Sequence, residues 1–339
     1  MNTTRAAGLS RRAFLGGAAA LPLLSAADGA EPAEAPRPAQ GIPGIIVRQT
    51  QPDNLEFPFA SLRSFLTPNE QFYVRTHFEV PKLEAKSWRL KVGGAVEKPA
   101  EITYDELRKL PSRTVPALLE CSGNSRVLLR PPQLGIRWEQ GGVSNAEWRG
   151  VPLSAVLERA GVRDRAVEVI LEGADRGELR PPNPPSPGVI SYARSLPLAK
   201  ARRPEVLLAY QMNGKDLPPE HGFPVRAVVP GWYGMASVKW LARLVVTERP
   251  FHGYFHTFMY SVWERRDGEP TLAAVSEIQV KSQIARPVRN EVVAAGSRYR
   301  IFGAAWGGEA QVARVEVSTD GGKEWQHARL LDRPVPYTW

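Results

Sequence analysis

The sequence of 339 residues contains one cysteine, Cys121, and only four methionines and five histidines. A single cysteine excludes an intramolecular disulfide, a cysteine-based zinc or iron–sulfur site and the C-x-x-C-H motif that attaches a c-type haem. No apolar run reaches the ~18 residues that a membrane-spanning helix needs. The sequence also lacks a G-x-G-x-x-G motif, which argues against a nicotinamide-binding Rossmann domain.

Glycine and proline are abundant, at 29 and 31 residues, which favours a fold rich in turns and strands. The hydrophobic share of 43% and the charged share of 23% are those of a globular protein and exclude a disordered or coiled-coil class. The formal net charge of +9 favours anionic partners. Nucleic acid is disfavoured among them, because no stripe of alternating aromatic and basic residues is present.

The first 27 residues have the features of a twin-arginine export signal. Arg11 and Arg12 are followed by Phe14, an apolar run rich in Ala, Gly and Leu, and small residues at Ser25–Ala27. We therefore predict a signal peptide over residues 1–27, export by the twin-arginine translocase and a periplasmic location. Residues 28–43 are rich in Ala and Pro and predict a disordered linker.

The remaining sequence predicts a mixed α+β domain over residues 44–270. Residues 72–78 alternate, which predicts a strand with Arg75 and His77 on one face. Residues 114–120 predict a strand that ends just before Cys121, and residues 153–160 predict a helix stopped by Gly161.

From about residue 271 the pattern is nearly all strand, which predicts a second domain over 271–339, an immunoglobulin-like β-sandwich. Such a sandwich needs ~100 residues, and only the 68 from Leu272 to Trp339 remain. We therefore expect this domain to be incomplete.

Two groups of residues could carry chemistry. In Cys121-Ser122-Gly123-Asn124, a thiol follows a strand where Gly123 and Asn124 allow the left-handed backbone of a tight loop. That thiol is either a buried structural cysteine or a soft metal ligand. His221, Arg226, Ser237 and Lys239 bracket a Pro-Gly segment and could converge on a phosphate or a polar heterocycle, or could lie on a solvated strand face.

These motifs, in this order, resemble the sulfite oxidase family of molybdopterin enzymes. The resemblance covers about residues 55–339. It rests on five motifs, which are Arg75-Thr76-His77, Cys121-Ser122-Gly123-Asn124, Leu208 to Gly214, His221 to Arg226 and Val238-Lys239-Trp240. It implies a mixed α+β molybdopterin-binding catalytic domain, followed by an immunoglobulin-like dimerisation domain, and hence a possible homodimer.

The resemblance also implies roles for eleven residues. Cys121 would supply the protein thiolate that binds molybdenum. The molybdopterin would be held by six residues: His77, Asp175, His221, Arg226, Ser237 and Lys239. The substrate oxyanion would be held by Arg75, Arg126, Trp138 and Tyr260. Family members carry a further pocket arginine in the C-terminal domain, and no match to it precedes Trp339; either the chain is truncated or its pocket is less cationic.

The implied reaction is the oxidation of sulfite to sulfate, with one-electron transfer to an external acceptor such as cytochrome c. Two alternatives stay open at this point. One is a molybdenum reductase of sulfoxides or other S- and N-oxides on the same fold, and the other is a non-catalytic periplasmic paralogue that binds no metal. Arg75, Arg126 and Tyr260 favour an anionic substrate and hence sulfite.

Overall fold

A computed structural model describes residues 44–331 and 334–339 of the chain. The predicted signal peptide, 1–27, and the linker, 28–43, lie outside these residues. Within the described part, no helix combines the length and the apolar character needed to cross a bilayer.

Strands dominate the described residues, and helices are few and short. The helices are α1 Tyr104–Lys109, α2 Leu153–Ala160 and α3 Leu198–Ala201. The strands before residue 250 are β1 Ile46–Thr50, β2 Asp53–Glu56, β3 Arg89–Gly94, β4 Ala100–Thr103, β5 Arg113–Glu120, β6 Val143–Pro152, β7 Glu168–Gly177, β8 Ile190–Pro197, β9 Leu207–Met212, β10 Lys215–Asp216, β11 Arg226–Val228 and β12 Leu241–Thr247. The later strands are β13 Ser261–Arg266, β14 Glu269–Ala274, β15 Lys281–Arg286, β16 Phe302–Trp306, β17 Glu316–Val317 and β18 Gln326–His327.

Two five-stranded sheets form the body of the protein. One has the order β10-β9-β6-β5, with β11 also paired to β9, and the other has the order β4-β3-β12-β7-β8. β12 and β3 run parallel, whereas the other neighbours within these sheets are antiparallel. The prediction of a mixed α+β fold without a regular βαβ rhythm is confirmed.

Two apolar cores hold these sheets. The larger core joins Leu90 and Leu244 of the second sheet to Val151 and Leu208 of the first, and all four are fully buried. The second core packs against β5 and β6 and takes in Trp306 from β16. Residues after 270 therefore complete a core that begins with strands before residue 150.

The C-terminal region, residues 271–339, contains short antiparallel pairs in the described structure. β15 pairs with β16 and β17 pairs with β18, while β14 pairs with β13, which precedes the region. The predicted domain boundary at residue 270 falls inside β14. The described strands of this region form no larger sheet, and the immunoglobulin-like sandwich stays a prediction.

Residues 72–78 do not form the predicted strand. Only Val74 pairs there, in an isolated bridge to Leu55. The neighbouring backbone N–H groups donate to side chains instead: that of Tyr73 to Ser144 Oγ at 3.2 Å and that of Thr76 to Asn54 Oδ1 at 3.0 Å. Since these donors are already satisfied, they do not need a neighbouring strand.

Thr103-Tyr104-Asp105-Glu106 has the sequence pattern of a capping box, and helix α1 begins with a complete one. Thr103 Oγ1 accepts from the Glu106 N–H at 3.1 Å, and the Glu106 carboxylate accepts from the Thr103 N–H at 2.8 Å. We expect Thr103→Ala to lower the free energy of unfolding by about 1 kcal/mol, because the helix loses an N-terminal acceptor. Denaturant titration measures this loss. Thr319→Ala, on an exposed turn, is the control and should leave the unfolding free energy within ~0.5 kcal/mol; an equal loss there would contradict the explanation.

Candidate active site

A cleft with about 640 Å³ of space free of protein atoms lies at the ends of β5, β7, β11 and β12. Nine of the eleven residues that the sequence singled out line it: Arg75, His77, Cys121, Asp175, His221, Arg226, Ser237, Lys239 and Tyr260. They come from segments separated by up to 185 positions in sequence, and the fold brings them to one place. The prediction that the histidine, arginine, serine and lysine of residues 221–239 converge is thus supported by their shared cavity.

Cys121 lies where β5 ends, and its loop is fixed by backbone hydrogen bonds. The Cys121 N–H donates to Gly142 O at 2.8 Å, and the Asn124 N–H donates to Cys121 O at 2.8 Å. The side chain is a free thiol, 8% exposed, and it opens into the cavity. The left-handed residue of the loop is Ser125, with φ 69°, and not Gly123 or Asn124 as expected.

Gly123 lies close to the side chain of an arginine, Arg126. A Cβ at this position would lie 2.4 Å from Arg126 Nη2. The guanidinium of Arg126 donates to Leu134 O at 2.7 Å. It lines a second, open hollow beside the main cavity, and Ser122 borders both. The predicted pocket arginine therefore lies at the mouth of the cleft and not inside it.

At the basic end of the cavity, main-chain carbonyls hold the cations. Arg226 is buried and donates to His221 O and Ser237 O, both at 2.9 Å, and to Ala227 O at 3.2 Å. Lys239 donates to Glu220 O at 2.8 Å. Because these acceptors are neutral, they fix the side chains without cancelling their charge.

Burial and mutual repulsion weaken the protonated forms of this group. Burial lowers the pKa of Arg226 to about 10. Burial first, and then the charge of Arg226, lower the pKa of Lys239. Burial, Lys239 and Arg226 together lower the pKa of His221 to about 3, so His221 is neutral at pH 7.

Asp175 supplies an unsatisfied acceptor to the same cavity. Its Oδ1 atom is buried and has no hydrogen-bond partner in the described structure. Burial raises the pKa of this carboxyl group. A buried acceptor without a donor is costly, so this atom suits a ligand that brings N–H groups, as a pterin does.

The opposite end combines Arg75, His77 and Tyr260. His77 Nε2 and Tyr260 Oη are hydrogen-bonded at 2.6 Å, and the His77 ring stacks on Tyr192 with centroids 4.7 Å apart. Burial, together with the charge of Arg75, lowers the pKa of His77. Arg75 donates to Asn54 Oδ1 at 3.1 Å and also contacts Thr76 O. In the described residues no carboxylate forms an ion pair with Arg75, Arg126, Arg226 or Lys239.

Trp138 does not line the cavity, in contrast to the prediction. It is 1% exposed and belongs to the second core, where its ring packs edge-to-face on Tyr73 at 6.1 Å. Tyr73 does line the cavity. Trp138 therefore supports a cavity residue and does not itself reach the substrate space.

Some residues of the site carried no sequence signal that we used. Tyr73 and Tyr192 line the cavity, and Asn54, which is fully buried, orients Arg75 and the Thr76 backbone. Asn54 lies in the short strand β2, about twenty positions before Arg75. The role of a single buried amide of this kind cannot be predicted from the sequence until the segment that it contacts is known.

Comparison with known proteins gives this site a family. The model of the oxidoreductase molybdopterin binding domain matches residues 77–255, and that of the Mo-co oxidoreductase dimerisation domain matches residues 272–338. Sulfite oxidase of Gallus gallus is 38% identical over 310 residues, which cover 87% of this chain and 65% of that protein. The chain belongs to the sulfite oxidase family of molybdopterin enzymes.

Other relatives show how wide this family is. Nitrate reductase [NADH] 2 of Phaseolus vulgaris is 36% identical, over 85% of this chain and 35% of its own length. The solved structure of the sulfane dehydrogenase SoxCD from Paracoccus pantotrophus matches with a TM-score of 0.75 and 31% identity, over 90% of this chain and 74% of that one. The chain spans between 35% and 65% of the length of these two curated relatives.

The family places this chain among enzymes that carry a molybdenum–molybdopterin cofactor, and the cavity fits that group. A thiol can bind the metal, cations without carboxylate partners can bind a phosphate, and the orphaned Asp175 oxygen can accept from a pterin N–H. These three chemical demands are met by residues of one cavity.

The buried, neutral state of His221 predicts a pH dependence of stability. The pKa of His221 is about 3 in the folded protein, whereas that of an unfolded histidine is about 6.5. The contribution of His221 is therefore complete above pH 6.5 and is lost as the pH falls towards 3. Between pH 7 and pH 5 we expect the cofactor-free protein to lose about 2 kcal/mol of unfolding free energy through this residue.

Denaturant titrations of the wild type and of His221→Gln, each at pH 7 and pH 5, measure that contribution. The variant should lose less stability between the two pH values than the wild type does. His327→Gln, at an exposed histidine, should behave as the wild type. An identical loss in all three proteins would refute the role assigned to His221.

Proposed function

We propose that this protein is a molybdenum-dependent sulfite dehydrogenase. Sulfite and water would give sulfate, two protons and two electrons, and the electrons would pass singly to an external acceptor such as cytochrome c. The observation that carries the proposal is a set of cations around one thiol that form no ion pair with a carboxylate of the described residues. A relative named sulfite oxidase, 38% identical, supports it.

The residues of the basic end would hold the cofactor. Cys121 would bind the metal as a thiolate, Arg226 and Lys239 would face the phosphate, and Asp175 would accept from the pterin. When bound, the molybdenum cofactor supplies the two-electron redox chemistry and the transfer of oxygen to sulfite. The protein supplies ligation, orientation and the surrounding field.

The other end would recognise the substrate. Arg75 offers a guanidinium that Asn54 holds in place, and charge-assisted hydrogen bonds to a small oxyanion are strong. Arg126, at the mouth, would attract the anion. The hydrogen bond between Tyr260 and His77 fixes the phenol. In the tautomer with the proton on His77 Nε2, the phenol oxygen accepts from His77, and the O–H of Tyr260 would donate to an oxygen of the bound anion.

Nitrate reduction is the second candidate, because nitrate reductases also match this chain at 36% identity. Both substrates are small oxyanions, and a cationic cavity alone does not separate them. Molybdenum-loaded protein assayed with sulfite and ferricyanide, and with nitrate and a reduced viologen, separates the two. We expect turnover of sulfite. Turnover of nitrate or of a sulfoxide without turnover of sulfite would refute the proposal.

Partners and location belong to the same proposal. The sequence has one cysteine and hence no C-x-x-C-H motif, so a c-type haem that accepts the electrons would lie outside this sequence. The solved relative SoxCD is named a sulfane dehydrogenase, which supports the oxidation of a sulfur compound with transfer of electrons to an acceptor. The match to a dimerisation domain supports a homodimer, and the twin-arginine motif supports export to the periplasm.

Substitution of Cys121 tests whether its thiol binds the metal. We expect Cys121→Ser to lower sulfite turnover by at least about a thousandfold, because serine does not supply a soft thiolate to molybdenum. X-ray absorption of the loaded protein should show one fewer sulfur ligand, while circular dichroism stays unchanged. Cys121→Ala, which also removes the sulfur, is the matched control and should behave alike. Activity retained in both variants would exclude Cys121 as the metal ligand.

Arg75 has a different expected effect. We expect Arg75→Gln to raise the apparent KM for sulfite about tenfold or more with a smaller change in kcat, because ground-state binding of the anion is lost. Steady-state kinetics at fixed ionic strength measure both constants. Arg249→Gln, at an exposed site away from the cavity, is the control. An unchanged KM in the Arg75 variant would mean that this arginine is structural.

A further inference from the structure

The residue before Cys121 is a fully buried glutamate. Glu120 is the last residue of β5 and is 0% exposed. Its carboxylate accepts three hydrogen bonds: Oε1 from Lys281 Nζ at 2.8 Å and from Asn124 Nδ2 at 3.0 Å, and Oε2 from Trp306 Nε1 at 2.8 Å. A buried carboxylate needs such donors, and here they come from two separate parts of the chain.

Two of the donors belong to one rung of the C-terminal region. Lys281 begins β15, Trp306 ends β16, and the two are direct partners across this antiparallel pair. Trp306 is fully buried, and Lys281 Nζ is the one cation in ion-pair contact with Glu120 in the described residues. The pair β15–β16 therefore donates two hydrogen bonds to the residue at the end of β5, directly before Cys121.

The third donor, Asn124, belongs to the loop that carries the Cys121 thiol. Asn124 donates to Glu120 through Nδ2, and its Oδ1 accepts from the Gly142 N–H at 3.1 Å. Gly142 in turn accepts from the Cys121 N–H at 2.8 Å. The carboxylate of Glu120 is thus tied to the same hydrogen bonds that set the direction of the Cys121 backbone.

The charge of Glu120 acts on the cavity as well as on the loop. Burial, and then the negative charges of Cys121 and Glu120, raise the pKa of Tyr73, which lines the cavity. The ion pair adds little net stability, because the desolvation of the buried Glu120 offsets its attraction to Lys281, whose side chain is 30% exposed. A glutamate and a lysine held at this point are therefore better explained by a fixed geometry and a fixed field than by stability.

On the basis of the function proposed above, in which Cys121 binds molybdenum, we infer that Glu120 is a positioning residue. With Lys281 and Trp306 it holds the loop of Cys121 against the C-terminal region. The opposite charges of Glu120 and Lys281 sum to zero, and together they set the reduction potential of the metal centre. The region matched by the dimerisation domain thereby becomes part of the active site.

The test uses the full chain loaded with molybdenum, with redox titration followed by the EPR signal of the metal. Glu120→Gln keeps the shape but leaves Lys281 uncompensated, so the midpoint potential should rise. Turnover of sulfite should fall about tenfold, the lower end of the range for residues that hold a metal ligand in position. Molybdenum content, measured by elemental analysis, should stay near that of the wild type.

The double variant Glu120→Gln/Lys281→Met separates charge from simple packing. It removes both charges, so the potential should return most of the way to the wild-type value. A merely structural role predicts the opposite, since the double variant loses two more hydrogen bonds, those of Lys281 Nζ to residue 120 and to Asn124 O. Lys323→Met, at an exposed lysine of the same region, is the control and should leave the potential unchanged.

If Glu120→Gln fails to fold, Trp306→Phe provides the same test. It removes one N–H donor from the carboxylate and keeps an aromatic ring, so the potential should fall. Loaded variants with wild-type potential and EPR spectra would overturn the inference and leave the proposed function intact. A wild-type protein whose molybdenum has no protein sulfur ligand would overturn both.

Discussion

Cationic side chains line a cavity around a single thiol in this protein, and they form no ion pair with a carboxylate of the described residues. Arg226, Lys239 and Arg75 are held by neutral oxygens, mostly main-chain carbonyls, so each side chain is fixed in place by uncharged partners. Removing such cations from water costs free energy, and the lowered pKa values of Arg226 and Lys239 reflect that cost. An anionic ligand would therefore lower the free energy of the buried cations. The hydrogen bonds of the site keep these cations in position for such a ligand.

The C-terminal region stabilises the catalytic part of the chain as well as continuing it. Trp306 completes the second core, and the Ile278 N–H donates to Gly231 O at 2.9 Å in the loop that leads to Ser237. Lys281 reaches the strand end next to Cys121. Because the loop that leads to Ser237 and the strand end before Cys121 both contact this region, its packing is coupled to the geometry of the site.

Local signals in the sequence were sufficient where the structure is local. The capping box at Thr103, the helix stopped by Gly161 and the strand that delivers Cys121 all depend on residues within a few positions of each other. The ordered motifs of the family then placed most of the cavity residues, because the fold brings those motifs to common strand ends.

The errors share one physical cause, which is hydrogen bonding or packing between distant segments. Asn54 and Ser144 take the backbone donors of residues 73–76, so an alternating pattern there does not become a strand. Trp138 is drawn into a core by Tyr73, and Arg126 is drawn outwards by Leu134 O. Such contacts depend on the complete fold, and neither alternation nor motif spacing carries information about them.

The presence of only one cysteine in the sequence also limits the thiol chemistry of this site. With no second thiol in the sequence, Cys121 has no intramolecular partner for disulfide exchange, and no other thiolate competes for a soft metal. Its selectivity must therefore come from the groups around it. The cations attract an anionic cofactor, the orphaned oxygen of Asp175 accepts its N–H groups, and the loop braced by Glu120 aims the sulfur into the same cleft. A bare cation would be repelled by these charges, whereas a metal that arrives within an anionic pterin is attracted by them.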